Sequence, residues 1–289
     1  MEAAYYRAWQ DNTVKCFLCP HECVIEEGKY GICRARCHED GKLVAKTYGE
    51  ISGMSTQSMH KMNFYFYPDD SIKLLSIASY GCNLTCPYCF NRHISQARIH
   101  TEHVSVEDLL VRINNLKGQG VQGVCYTFNE PGIWFEHVKD YSKAIHEAGF
   151  LNAMETNGHL HSSAFRELLK YMDLVNLSYK GFDEEFYIEH CEGDFHTVCE
   201  NIKILAQSGV YYEISCVLVK ELNDDEKSFR KGMALLQSLA PDAKVSLVPV
   251  VPMENEEMIP PSIAVLRDLE SVAKEYFSEV YLAIEENDE

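Results

Sequence analysis

Leu74-Leu75-Ser76-Ile77-Ala78-Ser79-Tyr80-Gly81-Cys82-Asn83-Leu84-Thr85-Cys86-Pro87-Tyr88-Cys89 joins a strand to a chemical loop. The apolar run Leu74–Ala78 reads as a buried strand. Directly after it, Cys82, Cys86 and Cys89 are spaced Cys-x3-Cys-x2-Cys. Soft thiolates select iron–sulfur clusters or zinc. Three thiolates on one loop can hold three corners of a cubane and leave one iron open to a chelating ligand. A structural zinc needs a fourth ligand, for which His93 is the nearest candidate.

Outward from this stretch, short apolar runs alternate with amphipathic ones. The runs near Gly123–Phe128, Leu151–Glu155, Leu174–Ser178, Tyr212–Val219, Val245–Val248 and Val280–Ile284 read as further strands. Val106–Leu116, Trp134–Ala148, Ser163–Lys170, Phe195–Gln207, Asp225–Leu239 and Ile263–Phe277 read as helices between them. Ser105 is a natural cap for the first, with Asp108 three residues on. Repeated βα units imply a parallel sheet with right-handed crossovers. The expected fold is α/β, a partial (β/α)6 TIM-like barrel. An open doubly wound sheet is the alternative, which periodicity does not separate. Residues 1–45 read as a small cysteine-rich metal-binding module, 46–72 as a connector with some extended structure, and 73–289 as the barrel. The tail Glu285–Glu289 reads as a solvated, frayed end.

The chain carries a net charge of −18. So acidic a surface repels phosphate backbones and anionic lipid, so neither nucleic acid nor a membrane is expected as a partner. Met1–Arg7 lacks the apolar run of a signal peptide, and no apolar stretch is long enough to cross a bilayer. The expected location is cytoplasmic. In a reducing cytosol, twelve cysteines with short regular spacings point to metal. Cys16, Cys19, Cys23 and Cys33 supply four thiolates, enough for zinc or for a second [4Fe-4S] cluster. Nearby Lys29, Arg34 and Arg36 could balance a cluster's charge, which favours the cluster slightly. Cys37 and His38 are substitutes for one ligand. Cys125, Cys191, Cys199 and Cys216 read as small buried apolar residues.

The Cys-x3-Cys-x2-Cys spacing with aromatic Tyr88 before the last cysteine resembles the radical S-adenosylmethionine (SAM) superfamily. Gly81-Cys82-Asn83, Asn91 and Ile94-Ser95-Gln96 resemble the group containing pyruvate formate-lyase activating enzyme, its AmmeMemoRadiSam branch above all. That branch also carries an amino-terminal Cys-x2-Cys-Pro-x2-Cys, here Cys16, Cys19-Pro20 and Cys23, closed by Gly31-Ile32-Cys33. The resemblance spans residues 16 to about 252.

It implies a [4Fe-4S] cluster on Cys82, Cys86 and Cys89 that cleaves SAM reductively. The resulting 5'-deoxyadenosyl radical abstracts hydrogen from an unidentified substrate, which can be a protein, a peptide or a small molecule. A one-electron donor such as flavodoxin or ferredoxin is implied. Activation of a glycyl-radical enzyme is one alternative; a non-catalytic iron–sulfur carrier or assembly factor is another. Barrel enzymes place their chemistry at the carboxyl ends of strands, where the other polar loops of this chain fall. Asn129 and Glu130 stand where the family's Gly-Gly-Glu-like motif sits and can accept from the SAM ammonium. Lys180 matches the family's lysine in Asp-x-Lys and can pair with the carboxylate. Glu155, Thr156 and Asn157 match a site near ribose and methionine, and Tyr88 can contact adenine. The chain departs from the family at Ser178, where Asp is common. Asn223 is as readily a turn residue as a ligand contact.

Overall fold

Six strand–helix units follow one another from Lys73 to Lys274 in the computed structural model, which describes residues 1–252 and 258–284. The acidic tail 285–289 lies outside the described residues. An edge strand precedes the units, β1 (Gly53–Ser58), and the parallel strands follow: β2 (Lys73–Ala78), β3 (Val121–Tyr126), β4 (Leu151–Thr156), β5 (Leu174–Tyr179), β6 (Tyr211–Leu218), β7 (Lys244–Pro249) and β8 (Val280–Leu282). The main helices of these units are α1 (Val106–Leu116), α2 (Phe135–Glu147), α3 (Ser162–Leu169), α4 (Phe195–Ala206), α5 (Glu226–Leu239) and α6 (Ile263–Lys274).

The eight strands lie in the order β8-β7-β6-β5-β4-β3-β2-β1. Strands β2 to β8 pair in parallel, and β1 pairs antiparallel with β2, Gly53 opposite Ala78 and Ser58 opposite Lys73. The order never reverses. A doubly wound sheet has a reversal at its switch point, so this topology selects the partial barrel. Side chains caps start the helices: Asp108 N–H donates to Ser105 Oγ at 3.1 Å, Thr197 N–H to Asp194 at 2.6 Å and Ser228 N–H to Asp225 at 2.8 Å.

The strands alternate with period two. Leu75, Ile77, Val124, Tyr126, Met154 and Val175 join the main core. Leu74, Cys125, Ala153 and Leu174, of the other parity, pack instead against Met59, Met62 and Phe64. Residues 59–67 thus plug the amino-terminal end of the barrel. Glu213 secures the plug by accepting from Tyr65 and Phe66 N–H at 2.9 and 3.0 Å, and Asn176 donates to the Asn63 carbonyl at 2.8 Å. The connector expected at 46–72 therefore contains an edge strand and a core element.

The amino-terminal segment has more regular structure than its weak periodicity suggests. Tyr6–Ala8, Val14–Cys16 and Val24–Ile25 form a three-stranded antiparallel sheet, and Arg36–Glu39 pairs with Lys42–Ala45. It docks on α2 through a buried ion pair between Arg36 and Glu136. Arg36 also donates to the Ala4 carbonyl at 2.8 Å, and Ala4 N–H donates to Glu136 at 2.8 Å. Removing one partner of such a pair strands the other charge away from water. Arg36→Ala should destabilise the protein by about 3–5 kcal/mol, whereas Arg36→Met with Glu136→Leu should recover most of the loss. Urea unfolding followed by circular dichroism checks this, and equal losses in both variants would refute it.

Candidate active site

Same-parity residues continue up the barrel from the plug and become polar at the carboxyl ends of the strands. Glu155 on β4, Ser178 on β5 and Lys180 just beyond it follow the inward positions Ala153, Leu174 and Asn176. Val217 on β6 and Val248 on β7 line the opposite wall. Together with the cysteine loop they bound an open cleft. Cys82, Cys86, Cys89 and Tyr88 line it from the loop after β2, and Thr127, Phe128, Asn129 and Glu130 from the loop after β3. Thr156 and Asn157 complete it beside Glu155. Cys82 and Lys180, 98 positions apart in the chain, close up because these loops open on one rim. His93 is exposed and does not line the cleft.

A polar network holds the cysteine loop. Asn129 Oδ1 accepts from Ser79 N–H at 2.8 Å, and its amide group lies 3.4 Å from the carbonyls of Tyr80 and Gly81. Asn83 donates to the His159 carbonyl at 2.6 Å and accepts from Asn157 at 3.0 Å. Glu130 is the hub. One oxygen accepts from Gly132 N–H and from the Thr156 hydroxyl, both at 2.7 Å, and the other from Asn157 N–H at 2.8 Å. Burial pushes its carboxyl above the usual range, against those three donors and the Lys180 charge. Glu155 is raised by burial too, opposed by hydrogen bonds from Thr127 and Asn63 and by Lys180. Lys180 itself is held by its backbone: its carbonyl accepts from Tyr88 at 2.9 Å and Asn223 at 3.3 Å, and its N–H donates to Tyr187 at 3.1 Å. Asn223 also accepts from Val219 N–H at 2.8 Å, so it acts as a turn residue.

Each sulfur of the loop has a neighbour able to donate to it. Leu84 N–H and the Asn157 amide approach Cys82 Sγ at 3.4 and 3.6 Å. Ser95 Oγ is 3.3 Å from Cys89 Sγ, and Cys191 Sγ is 3.5 Å from Cys86 Sγ. Burial, reinforced by the Glu130 charge, lifts the Cys82 thiol well above its ordinary range. Bound metal reverses that preference, because a coordinating thiol is deprotonated outright. A soft donor set ringed by hydrogen-bond donors fits an anionic iron–sulfur cluster.

Residues 76–231, more than half of the 289-residue chain, match the radical SAM superfamily. The chain belongs to the radical SAM superfamily. An uncharacterized protein of Methanocaldococcus jannaschii is 30% identical over 276 residues, which cover 89% of this chain and 80% of that protein. The pyruvate formate-lyase-activating enzyme of Clostridium pasteurianum is 29% identical over 178 residues, 58% of this chain and 71% of that enzyme. A radical SAM methyltransferase from Sphaerobacter thermophilus shares the fold with a TM-score of 0.62 at 15% identity, over 75% of this chain and 67% of its own. This radical SAM enzyme uses SAM and a [4Fe-4S] cluster for reductive cleavage. Among the described residues, no helix is long and apolar enough to cross a membrane.

A second, small pocket is lined by Cys16, Cys19, Cys23 and Cys33 with Arg36. Donors face these sulfurs too: Arg36 reaches Cys16 Sγ at 3.5 Å, His21 N–H and Asn83 face Cys19, Ile32 N–H faces Cys23 and Ala35 N–H faces Cys33. Burial pushes the Cys19 and Cys33 thiols up to about 12 and about 11. Among the described residues, no three His, Cys, Asp or Glu side chains close on one point as a lone metal ion requires. The four sulfurs surround a space instead.

Sequence reasoning overlooked three participants. Asn63 rises from the plug to donate to Glu155 at 2.7 Å. Cys191 contacts Cys86 across 105 positions. Phe128 lines the cleft 37% exposed with a φ of 70°. Positive φ in a bulky residue was the kind of signal no sequence pattern carries. The two cysteine sites meet at Gly81, whose φ is 90° and where a Cβ would collide with the Cys33 carbonyl oxygen. Gly81→Ala should therefore lower both the melting temperature and the iron bound after anaerobic reconstitution. Gly118→Ala, with open space around it, should change neither. Wild-type iron content in Gly81→Ala would show that this close approach is dispensable.

Proposed function

We propose that Cys82, Cys86 and Cys89 hold the cluster and that the cleft beside them binds SAM through its methionine end. The juxtaposition of three cysteine sulfurs, Lys180 and the Glu130 and Glu155 carboxylates in one cleft carries this reading. When bound, the cluster and SAM supply the electron, the cleaved sulfonium bond and the hydrogen-abstracting radical. The protein's own residues bind and orient. Lys180, with its backbone locked by Tyr88, Tyr187 and Asn223, presents a cation to the SAM carboxylate. Glu130, with one accepting position left on the oxygen that takes Asn157 N–H, receives the ammonium. Asn129 is committed to the cysteine loop and serves SAM by holding that loop in place. Thr156, Asn157 and Ser178 supply polar contacts, and the buried ring of Tyr88 supplies an apolar surface. A non-catalytic carrier has no use for an amino-acid pocket of this kind.

For the amino-terminal cysteines we favour an auxiliary [4Fe-4S] cluster over zinc. Four sulfurs lining one pocket and faced by hydrogen-bond donors suit the four corners of an anionic cubane, whereas zinc draws its sulfurs to about 2.3 Å from one point. Its contact with the main loop, through Gly81 against Cys33 and Asn83 against Cys19, suits an electron relay from a donor such as flavodoxin or ferredoxin.

The substrate we infer is a protein or peptide, activation of a glycyl-radical enzyme being one case. The cleft mouth carries exposed apolar side chains, Phe90 at 61% and Val251 at 54%, beside Phe128. Exposed apolar side chains grouped on one rim suit a macromolecular partner. The similarity to a pyruvate formate-lyase-activating enzyme supports the same class.

Three measurements test these assignments. Cys86→Ala should abolish SAM cleavage under dithionite, and retained cleavage would overturn the main-site assignment. Reconstituted protein should hold about eight irons per chain, as two [4Fe-4S] clusters require; about four irons and one zinc would refute the auxiliary cluster. Lys180→Ala should keep its iron but lose SAM affinity roughly ten- to a hundredfold, the effect of one charge-assisted hydrogen bond of about 1.5–3 kcal/mol. Titrating SAM into the reduced protein by electron paramagnetic resonance reads this, and wild-type affinity would make Lys180 a bystander.

A further inference from the structure

Cys191 has no part in the Cys-x3-Cys-x2-Cys motif, yet it sits against the motif's middle sulfur. It is fully buried, and its Sγ lies 3.5 Å from Cys86 Sγ. The placement is held from both sides. Thr85 N–H, one residue before Cys86, donates to the Cys191 carbonyl at 3.0 Å. Cys191 also ends a π-helical turn, Tyr187–Cys191, closed by Glu192 in the left-handed region and by Gly193 N–H donating to the Tyr187 carbonyl at 2.9 Å. Turns of this type are rare and gather at functional sites.

Two roles are excluded by geometry. Cys191 does not line the cleft, so it touches neither substrate nor SAM. Nor can it cap the open iron of a cubane, because its sulfur is packed against that of Cys86 and corner irons splay their ligands apart. One role remains. When Cys86 is a metal-bound thiolate it carries no proton, so the S–H of the pair belongs to Cys191 and points at a ligating sulfur. Hydrogen bonds to ligating sulfurs withdraw charge from a cluster and help set its reduction potential.

Resting on the assignment of Cys86 as a cluster ligand, we propose that Cys191 is a positioning residue that donates an S–H···S hydrogen bond to Cys86 and makes the SAM-cleaving cluster easier to reduce. The hydroxyl of Tyr88 is the competing donor in this corner. It is spent on the Lys180 carbonyl at 2.9 Å, although it also lies close to both sulfurs. Leu84, Tyr187 and the loop backbone supply the dry surroundings in which a weak S–H donor counts.

The test is a redox titration of the reconstituted full chain, followed by the electron paramagnetic resonance signal that SAM perturbs, which distinguishes the main cluster from any second one. Cys191→Ala should lower the midpoint potential, so that at a fixed potential the ratio of reduced to oxidised cluster falls three- to tenfold, or about 28–59 mV for a one-electron couple. Cys191→Ser restores a donor at nearly the same volume and should return most of the shift, while Tyr88→Phe should move the potential less than Cys191→Ala does. Pulsed measurements should also find an exchangeable proton coupled to the reduced cluster that disappears in Cys191→Ala. An unchanged midpoint in Cys191→Ala, or a shift in Cys191→Ser as large as in Cys191→Ala, overturns the proposal. Should Cys191→Ala fail to fold, Cys191→Ser compared with wild type for the coupled proton decides it, since a purely packing role leaves no such proton in either. Absence of a SAM-responsive cluster in the wild type would overturn the ligand assignment, and this inference with it.

Discussion

Glu130 ties the molecule together. A carboxylate buried at the rim of the barrel is costly unless its oxygens are filled by donors, and here the donors come from two different loops. Gly132 N–H holds it within its own loop after β3, while Thr156 and Asn157 bind it from the loop after β4. Asn157 then passes the constraint to Asn83, the residue after Cys82. From the other side Asn129, next to Glu130, grips the backbone before Cys82. The irregular cysteine loop has no ladder of its own, so its buried polar groups depend on this chain of carboxylate and amides. The geometry of the three sulfurs is a consequence of it.

The same economy governs the rest of the cleft. Lys180, the cation of the site, is fixed through its backbone, which leaves its side chain free to meet a ligand. Glu155 is steadied from below by Asn63, so the plug that closes one end of the barrel also builds the floor of the site at the other. Stability and chemistry share residues here. Binding elements placed on strand ends inherit the rigidity of the sheet.

The amino-terminal segment is integrated with the barrel. Arg36 faces Cys16 on one side and Glu136 of α2 on the other, so the cation beside the second cysteine site is also the docking bolt of the segment. Where the cysteine loop passes this segment, only glycine fits at position 81, and the Cys33 carbonyl occupies the space a side chain would need. The two cysteine groups thus constrain each other's backbone directly.

Much of this was legible in the sequence because it is local. Period-two and helical periodicity located the strands and helices to within two residues at most ends, the Ser105 cap among them, since propensity and burial act over a few neighbours. Cysteine spacing announced the chemistry, because ligand type and reach are properties of a short loop. The polar loops sort to one rim once the strands are known to be parallel. What the tertiary structure decided is non-local. Barrel against open sheet turns on strand order, which periodicity does not encode. The plug at 59–67 looks like a connector until it is seen filling the barrel end. Asn63 reaches Glu155 over 92 positions and Cys191 reaches Cys86 over 105, and a single buried asparagine or cysteine reads as ordinary until the fold shows what it faces. Such contacts depend on the closure of the whole sheet, and no window of sequence contains them.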